Sequence, residues 1–165
     1  MNRKAARSLT TAVIGAVVLF FLIRLVSPLI IRTLGAGKAV LWPERLFLES
    51  TRNFGFVFSL PLPASMIIIV TLAVLFVVAW LYVEVVLHDA KAETLSCILI
   101  FGGAFSNLYE RVKFGFVWDY FNIQVFGLRG VWNLADALIL TGMLVWLFRS
   151  HKYRREPIES KNYVE

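Results

Sequence analysis

The sequence predicts a mainly α-helical membrane protein, with four transmembrane helices and a small extracytoplasmic β-cradle formed by the two outer loops. Hydrophobic residues make up 59% of the chain and its mean hydropathy is +0.73, whereas a soluble domain is roughly 45 to 50% apolar. Four apolar stretches have lengths near that of a membrane span. Two of the segments between them alternate in the way that is typical of strands.

The four apolar stretches place the helices within one domain. The predicted helices are approximately residues 10–31, 62–87, 95–109 and 134–148. We expect a single domain of residues 1–148, followed by a solvated basic tail of residues 149–165. The third and fourth stretches hold 15 residues each, fewer than the roughly 20 that cross a bilayer, so we expect their outer ends to lie below the lipid surface.

Lysine and arginine residues are concentrated at both ends of the chain, which predicts that both termini are cytoplasmic. The outer loops also hold seven basic residues, so charge alone leaves the topology open. Anionic lipid headgroups explain the net charge of +6 better than nucleic acid does, because no soluble basic face is present to hold a duplex. We therefore expect membrane lipids, and no nucleic acid, as partners.

The outer loops are predicted to contain two short strands, residues 52–59 and residues 115–125. In the first, the alternating phenylalanines Phe54, Phe56 and Phe58 would share one face. In the second, alternation places the carboxylate of Asp119 on a mainly apolar face. An ionisable group in such a place at membrane depth is costly and indicates a functional site.

The third helix carries a polar stripe at its outer end. Helical spacing puts Gly103, Asn107 and either Glu110 or Arg111 on one side. The amide of Asn107 and the guanidinium of Arg111 are suited to orienting a backbone or a carboxylate. Helix packing with an interfacial arginine explains this motif equally well when it is taken alone.

A second carboxylate opens the fourth helix, where Asn133 is followed three residues later by Asp136. This spacing is typical of an N-cap and a capping-box partner. Capping needs only one carboxylate, however, and Asp119 lies seventeen residues earlier on the same predicted side of the membrane. The pair therefore indicates a function beyond capping.

Two carboxylates held close together at low dielectric tend to share one proton and to titrate as a unit. The ionised member can take a proton from water as it attacks a peptide carbonyl, while the protonated member donates to the developing oxyanion. Asp119 and Asp136 are thus the candidates for peptide hydrolysis of the aspartic type. This chemistry requires no metal or cofactor, and we expect neither.

Other hydrolytic sites are less well supported by the sequence. A zinc site would need clustered histidines, but His88 falls in the predicted cytoplasmic turn and His151 in the tail. No spacing singles out a Ser–Lys pair. The single cysteine, Cys97, lies in an apolar run and is expected to fill the core.

These motifs resemble, in chain order, the signature blocks of the lipoprotein signal peptidase family, the bacterial signal peptidase II group of membrane aspartic peptidases. The matching blocks are residues 53–59, 102–111, 115–120 and 133–136, together with Gly142. With the four-helix hydropathy, the resemblance extends over nearly the whole chain.

The resemblance implies that the two aspartates are the catalytic dyad and that nearby residues support them or the substrate. The implied supporting residues are Asn53, Asn107, Glu110, Arg111 and Asn133. It also implies the substrate, a prolipoprotein that is cut before a cysteine carrying a diacylglyceryl group. The implied location is the bacterial inner membrane, with the active site towards the extracytoplasmic face, and we expect a monomer.

The chain departs from the family pattern at three places. Glu110 stands where the family usually has Asp, and Val57 stands where it usually has Ala. The family's Asp and Lys near the outer end of the first helix are missing; Arg24 lies in that apolar run, where it should pair with a carboxylate or extend to the lipid surface.

Two alternative functions follow from the same residues. The missing first-helix residues are compatible with a relative that binds lipidated peptides without cutting them. A small proton-coupled transporter would also use buried carboxylates, but both aspartates are predicted to lie towards one face rather than at the bilayer midplane.

Overall fold

The structure, a computed structural model, describes residues 3–35, 37–56, 60–87, 92–125 and 128–153. It is mainly helical with one small antiparallel sheet, as predicted. The elements in chain order are α1 (Arg3–Leu34), β1 (Ala39–Trp42), β2 (Leu46–Asn53), α2 (Ala64–Leu87), α3 (Ala92–Phe114), β3 (Val117–Val125), β4 (Leu128–Trp132) and α4 (Leu134–Tyr153).

Within the described ranges, α1 and α2 are the helices that are long and apolar enough to cross a membrane. The most apolar windows of α1 and α2 have mean hydropathies of 2.5 and 2.8, and only 17% of each window is buried inside the protein. Apolar surface left this exposed would face lipid rather than water. For α3 and α4, which carry charged residues at their ends, membrane crossing stays a prediction.

Three helices are longer than predicted. α1 begins seven residues before residue 10 and α3 runs for 23 residues instead of 15. α4 continues past residue 148 to Tyr153, so the first residues of the predicted tail are helical, and residues 154–165 lie outside the described chain. The tail of residues 149–165 as a separate cytoplasmic segment stays a prediction. Hydropathy detects only the apolar part of a helix, whereas backbone hydrogen bonding continues into its polar ends.

The sheet has the strand order β1-β2-β3-β4, with every neighbouring pair antiparallel. It is built from the two predicted outer loops. The prediction of a strand over residues 52–59 was wrong, because β2 ends at Asn53. There the Asn53 side chain accepts a hydrogen bond from Gly55 N at 2.8 Å, and Phe56 N donates to Leu60 O at 2.8 Å. These bonds turn the chain away from the sheet; residues 57–59 lie outside the described part.

The predicted strand over residues 115–125 is confirmed as β3, which begins two residues later, at Val117. β1 and β4 were not predicted. Each is short, with four and five residues, so neither offers enough alternation for a period of two to be recognised.

α3 packs against all three other helices, and its contact with α4 is close because both helices carry glycine there. A Cβ atom added to Gly103 would lie 2.6 Å from the carbonyl oxygen of Ala135, and one added to Gly142 would lie 2.9 Å from that of Ser96. Such spacing lets the two backbones touch. Cys97, 1% exposed, fills the core as predicted.

Candidate active site

The fourth helix starts with a reciprocal cap. Asp136 N donates to Asn133 Oδ1 at 2.9 Å, and Asn133 N donates to Asp136 Oδ2 at 3.1 Å. This is the capping geometry that the sequence predicted. It occupies only one oxygen of Asp136 and leaves the other, Oδ1, to a different partner.

The second carboxylate, Asp119, is held in the middle of β3 and is 1% exposed. Asn53, the last residue of the neighbouring strand β2, donates from Nδ2 to Asp119 Oδ2 at 2.7 Å. Asn133 donates from Nδ2 to Asp119 Oδ1 at 2.8 Å. Both oxygens of this buried carboxylate therefore accept a hydrogen bond from an amide.

An amide network joins the two carboxylates. Asn107, on α3, donates from Nδ2 to Asp136 Oδ1 at 2.7 Å. Its own Oδ1 accepts a bond of 3.1 Å from the Asn133 Nδ2 that also contacts Asp119. All four carboxylate oxygens thus accept N–H bonds, three from side-chain amides and one from the backbone at the cap. The residues predicted to share a site, Asn53, Asn107 and Asn133 with the two aspartates, are brought together.

Burial, and after it the negative charge of Asp136, raises the pKa of Asp119 from 3.8 to about 6. The amide hydrogen bonds from Asn53 and Asn133, and the positive charge of Arg111, act against this rise. The result is a carboxyl group that exchanges its proton near neutral pH, which is a property of acid–base sites.

Arg111 supplies positive charge to this site. Its charge acts on both aspartates, and its Nη2 donates to the carbonyl oxygen of Gly55 at 3.1 Å. The guanidinium therefore links the end of α3 to the segment that follows β2. It is half-buried, and it makes no direct hydrogen bond to either aspartate among those the structure describes.

Glu110 was predicted to support the site, and it faces a different helix. Its Oε1 accepts from Arg24 Nη1 at 2.5 Å, and its Oε2 accepts from Trp118 N at 2.8 Å. Arg24 thus pairs with a carboxylate, as expected, although the sequence did not identify which one. Helical spacing alone could not decide whether Glu110 or Arg111 faced the aspartates, because the two are adjacent.

Sequence reasoning missed two hydroxyl groups next to the site. Ser27 Oγ and Tyr120 Oη lie 3.1 Å apart, and Tyr120 Oη accepts from Leu134 N at 3.1 Å. Tyr120 is fully buried beside Asp119. Tyr120 directly follows Asp119 in the sequence, and this adjacency was the signal that could have identified it as a residue of the site.

A cleft of about 540 Å³ adjoins Asn53, with Arg52, Gly55, Pro61 and Val131 among its lining residues. This volume falls within the range of ligand sites, about 300 to 1,000 Å³. Because Asn53 contacts both the cleft and Asp119, a bound chain would pass close to the carboxylates.

The apolar helices α1 and α2 have the length and hydropathy of membrane spans. The sheet brings the buried carboxylate of Asp119 to the half-buried carboxylate of Asp136 at the start of α4. These features define an integral membrane protein of the paired-aspartate class. The model of the peptidase A8 family, which is described as signal peptidase (SPase) II, matches residues 15–152 of this chain. The chain belongs to the signal peptidase II family, which confirms the resemblance of its motifs.

Individual relatives agree with this assignment. The chain is 38% identical over 101 residues to the lipoprotein signal peptidase of Allorhizobium ampelinum, covering 59% of this chain and 61% of the relative. It is 27% identical over 140 residues to that of Streptococcus pneumoniae, covering 82% and 90%. With the relative from Sphingopyxis alaskensis, the match spans only 38% of each chain at 35% identity. In two of these three relatives, the matched region is thus less than two thirds of the relative's length.

The fold also matches solved structures. One bacterial membrane enzyme superposes with a TM-score of 0.76, covering 93% of this chain and 95% of its own, at 21% identity. A second superposes with a TM-score of 0.67, covering 92% and 95% at 20% identity. At these identities the likeness establishes the fold.

Proposed function

We propose that this protein is a membrane aspartic endopeptidase that removes signal peptides from prolipoproteins, cutting before the lipid-modified cysteine. The observation that carries the proposal is the amide network that joins Asp119 and Asp136. Together with family membership, it supports a pair of carboxyl groups that hold one proton between them.

In this proposal Asp119 and Asp136 are catalytic. The ionised carboxylate takes a proton from a water molecule as the water oxygen attacks the peptide carbonyl carbon. The protonated carboxyl donates its hydrogen to the carbonyl oxygen, which becomes the hydroxyl of a tetrahedral intermediate. When the C–N bond breaks, the proton taken from water passes to the leaving amine. A hydroxyl of the intermediate returns its proton to the other carboxylate as the product carboxyl group forms, which restores the dyad.

The remaining site residues position the dyad and the substrate. Asn107 and Asn133 hold the aspartates in one orientation, since each donates to a carboxylate oxygen. Arg111 holds the segment at Gly55, which lines the cleft. Asn53 lines the cleft and donates a hydrogen bond to Asp119. It would therefore lie between a bound peptide and this carboxylate.

We further propose four membrane-spanning helices in a single domain that continues to the end of α4, with both termini cytoplasmic and a monomeric state. The site lies where α1 and α3 end and α4 begins, at the opposite end of α1 from the basic residues Arg3, Lys4 and Arg7. With the positive-inside rule, this arrangement supports a site at the extracytoplasmic face of the bacterial inner membrane.

Exchange of either aspartate for asparagine tests the catalytic assignment. Asp119→Asn and Asp136→Asn keep the volume of the side chain but remove the acid and the base, so cleavage should fall at least about 1,000-fold. The measurement is a gel shift of a diacylglyceryl-modified prolipoprotein incubated with purified enzyme. Asp89→Asn, an aspartate in the predicted cytoplasmic turn, is the matched control and should cleave normally.

The same assay separates the alternatives. Full activity of either site variant would contradict the dyad. Binding of the prolipoprotein by the wild-type protein without any product would favour the peptide-binding relative, for which the absent first-helix Asp and Lys are the argument. Proton flux in liposomes without cleavage would favour the transporter.

A further inference from the structure

Two hydrogen-bonded contacts of α1 lead, through Glu110 and Tyr120, to the two segments that carry the aspartates. The first contact starts at Arg24, which is 17% exposed and donates to Glu110, which is 4% exposed. The other oxygen of Glu110 accepts from the backbone N–H of Trp118. Since Trp118 directly precedes Asp119 in β3, this contact holds the strand at the residue before the carboxylate.

The second contact starts one helical turn further along α1, at Ser27, which is 5% exposed. Its hydroxyl lies 3.1 Å from the hydroxyl of Tyr120, and that oxygen accepts from Leu134 N at 3.1 Å. Tyr120 follows Asp119 in β3, and Leu134 opens α4 two residues before Asp136. The Tyr120 side chain thus connects α1 to both segments that carry an aspartate, β3 and the start of α4.

We propose that Arg24 and Ser27 form a positioning face on α1 that sets the separation of the two aspartates. Residues three apart lie on one side of a helix, so a single face of α1 reaches β3 on both sides of Asp119 and also the start of α4. This inference rests on the proposed function, because it assigns to α1 the spacing that the dyad needs.

The chemistry of these contacts favours positioning over simple stabilisation. A buried ion pair seldom adds net stability, because desolvating two charges costs about as much as their attraction returns. Here the carboxylate is also hydrogen-bonded to a backbone N–H, which gives the pair a fixed geometry. The Tyr120 hydroxyl likewise accepts a backbone donor. Both contacts therefore end on the backbone of a catalytic segment rather than on another side chain.

Tyr120→Phe is the least disruptive test, because it removes one oxygen and keeps the buried ring. The link between α1 and Leu134 is lost, and we expect kcat for prolipoprotein cleavage to fall about 10- to 100-fold with KM little changed. Tyr109→Phe is the matched control: it removes a hydroxyl that contacts only Lys113 among the described hydrogen bonds, and its kcat should be unchanged.

Glu110→Gln and Arg24→Gln test the first contact, which joins Arg24 to Glu110. Glutamine at position 110 can still accept from Trp118 N but no longer pairs with Arg24, so we expect a fall in kcat of about 10-fold in each variant. The double variant should lose no more than the larger single loss, because both act through one contact. Arg32→Gln, at an exposed arginine on the same helix, is the control.

The pH profile of kcat distinguishes positioning from general destabilisation. If the aspartates move apart, their mutual repulsion weakens, and the alkaline limb of the profile should shift to lower pH in Tyr120→Phe and Glu110→Gln. A lower melting temperature with unchanged kcat and pH profile would overturn the proposal. If Arg24→Gln fails to insert, Tyr120→Phe decides alone. Absence of cleavage by the wild-type protein would instead contradict the proposed function.

Discussion

At the scale of single residues, Asp136 combines a structural role with a proposed chemical one. One oxygen closes the cap of α4, and the other accepts from Asn107. The cap fixes the carboxylate at the helix N-terminus, where the dipole favours negative charge. Asp119 lies in a strand, and its burial and the negative charge of Asp136 are the largest causes of its raised pKa.

The raised pKa of Asp119 predicts a pH-dependent stability. The unfolded chain loses this proton near pH 3.8, whereas the native state keeps it to about pH 6. The native state therefore binds more protons across that window, and the free energy of unfolding should fall as pH rises through it, by about 3 kcal/mol in total. The contribution is fully present below the lower pKa and is lost above the upper one.

Thermal melting in detergent micelles between about pH 4 and pH 8 measures this effect. In Asp119→Asn the contribution of this group disappears, so the melting temperature should depend less on pH than in the wild-type protein. Asp89→Asn should keep the wild-type dependence. Parallel curves for the wild-type protein and Asp119→Asn would show that the pKa of Asp119 is not raised by folding.

Asn133 is predicted to be the most sensitive of the supporting residues, because its amide contacts both Asp119 and Asn107 while its oxygen caps α4. Asn133→Ala should cost about 1 to 2 kcal/mol of stability from the lost cap and about 100-fold in kcat from the freed carboxylates. Asn122→Ala, which removes an exposed amide bonded to the Glu49 carbonyl, is the control. Equal activity in the two variants would contradict this role.

At the scale of elements, the approach of α3 to α4 decides whether Asn107 reaches Asp136. Gly103 lies one turn before Asn107 and faces the carbonyl of Ala135, the residue before Asp136. The glycine and the asparagine thus form one stripe, as helical spacing predicted, while Glu110 turns towards α1. Small residues on this stripe allow a side-chain hydrogen bond of 2.7 Å between two helices.

Gly103→Ala should force the two helices apart, because the new Cβ would lie 2.6 Å from backbone that cannot move independently. We expect about 1 to 3 kcal/mol of destabilisation and a fall in kcat of about 10-fold or more. In Gly102→Ala the added Cβ would meet the movable side chain of Leu19 at 2.9 Å, so its effect should be smaller. Thermal melting and the cleavage assay measure both, and the reverse order would contradict the close-contact interpretation.

At the scale of the whole molecule, the sheet and the helices have different roles. α1 and α2 present apolar surface to lipid, while the sheet covers the end of the bundle and brings Asn53 and Asp119 to α3 and α4. Carboxylates placed there are shielded from bulk water yet adjoin a cleft. In the proposed function, this cleft receives the lipid-anchored peptide.

The proposed orientation can be checked by labelling cysteines in intact cells with a membrane-impermeant maleimide. Glu44 lies in the exposed turn between β1 and β2. The new thiol in Glu44→Cys should therefore react with the maleimide added outside the cells. Arg3→Cys, at the exposed start of α1, should react only after the cells are opened. The native Cys97 is 1% exposed, so background should be low. Labelling of Arg3→Cys in intact cells would contradict the orientation.

The predictability of the site differs from residue to residue. The cap at Asn133 and Asp136 depends on a local spacing, and the stripe of Gly103 and Asn107 depends on helical periodicity, so both could be read from the sequence. The strand predicted over residues 52–59 could not be placed correctly, because the turn at Asn53 depends on one side-chain hydrogen bond. Alternating phenylalanines produce the same pattern whether or not they are in a sheet.

The sequence by itself determined the membrane character and the mainly helical fold, because composition and short-range periodicity carry this information. It also predicted Asp119 and Asp136 as a pair, whose catalytic role stays a prediction. Only the tertiary structure decided that Glu110 pairs with Arg24, that Tyr120 links α1 to α4, and that one amide joins the aspartates. These contacts bring together residues from distant parts of the chain. Their partners are selected by how the helices and the sheet pack, which no local pattern encodes.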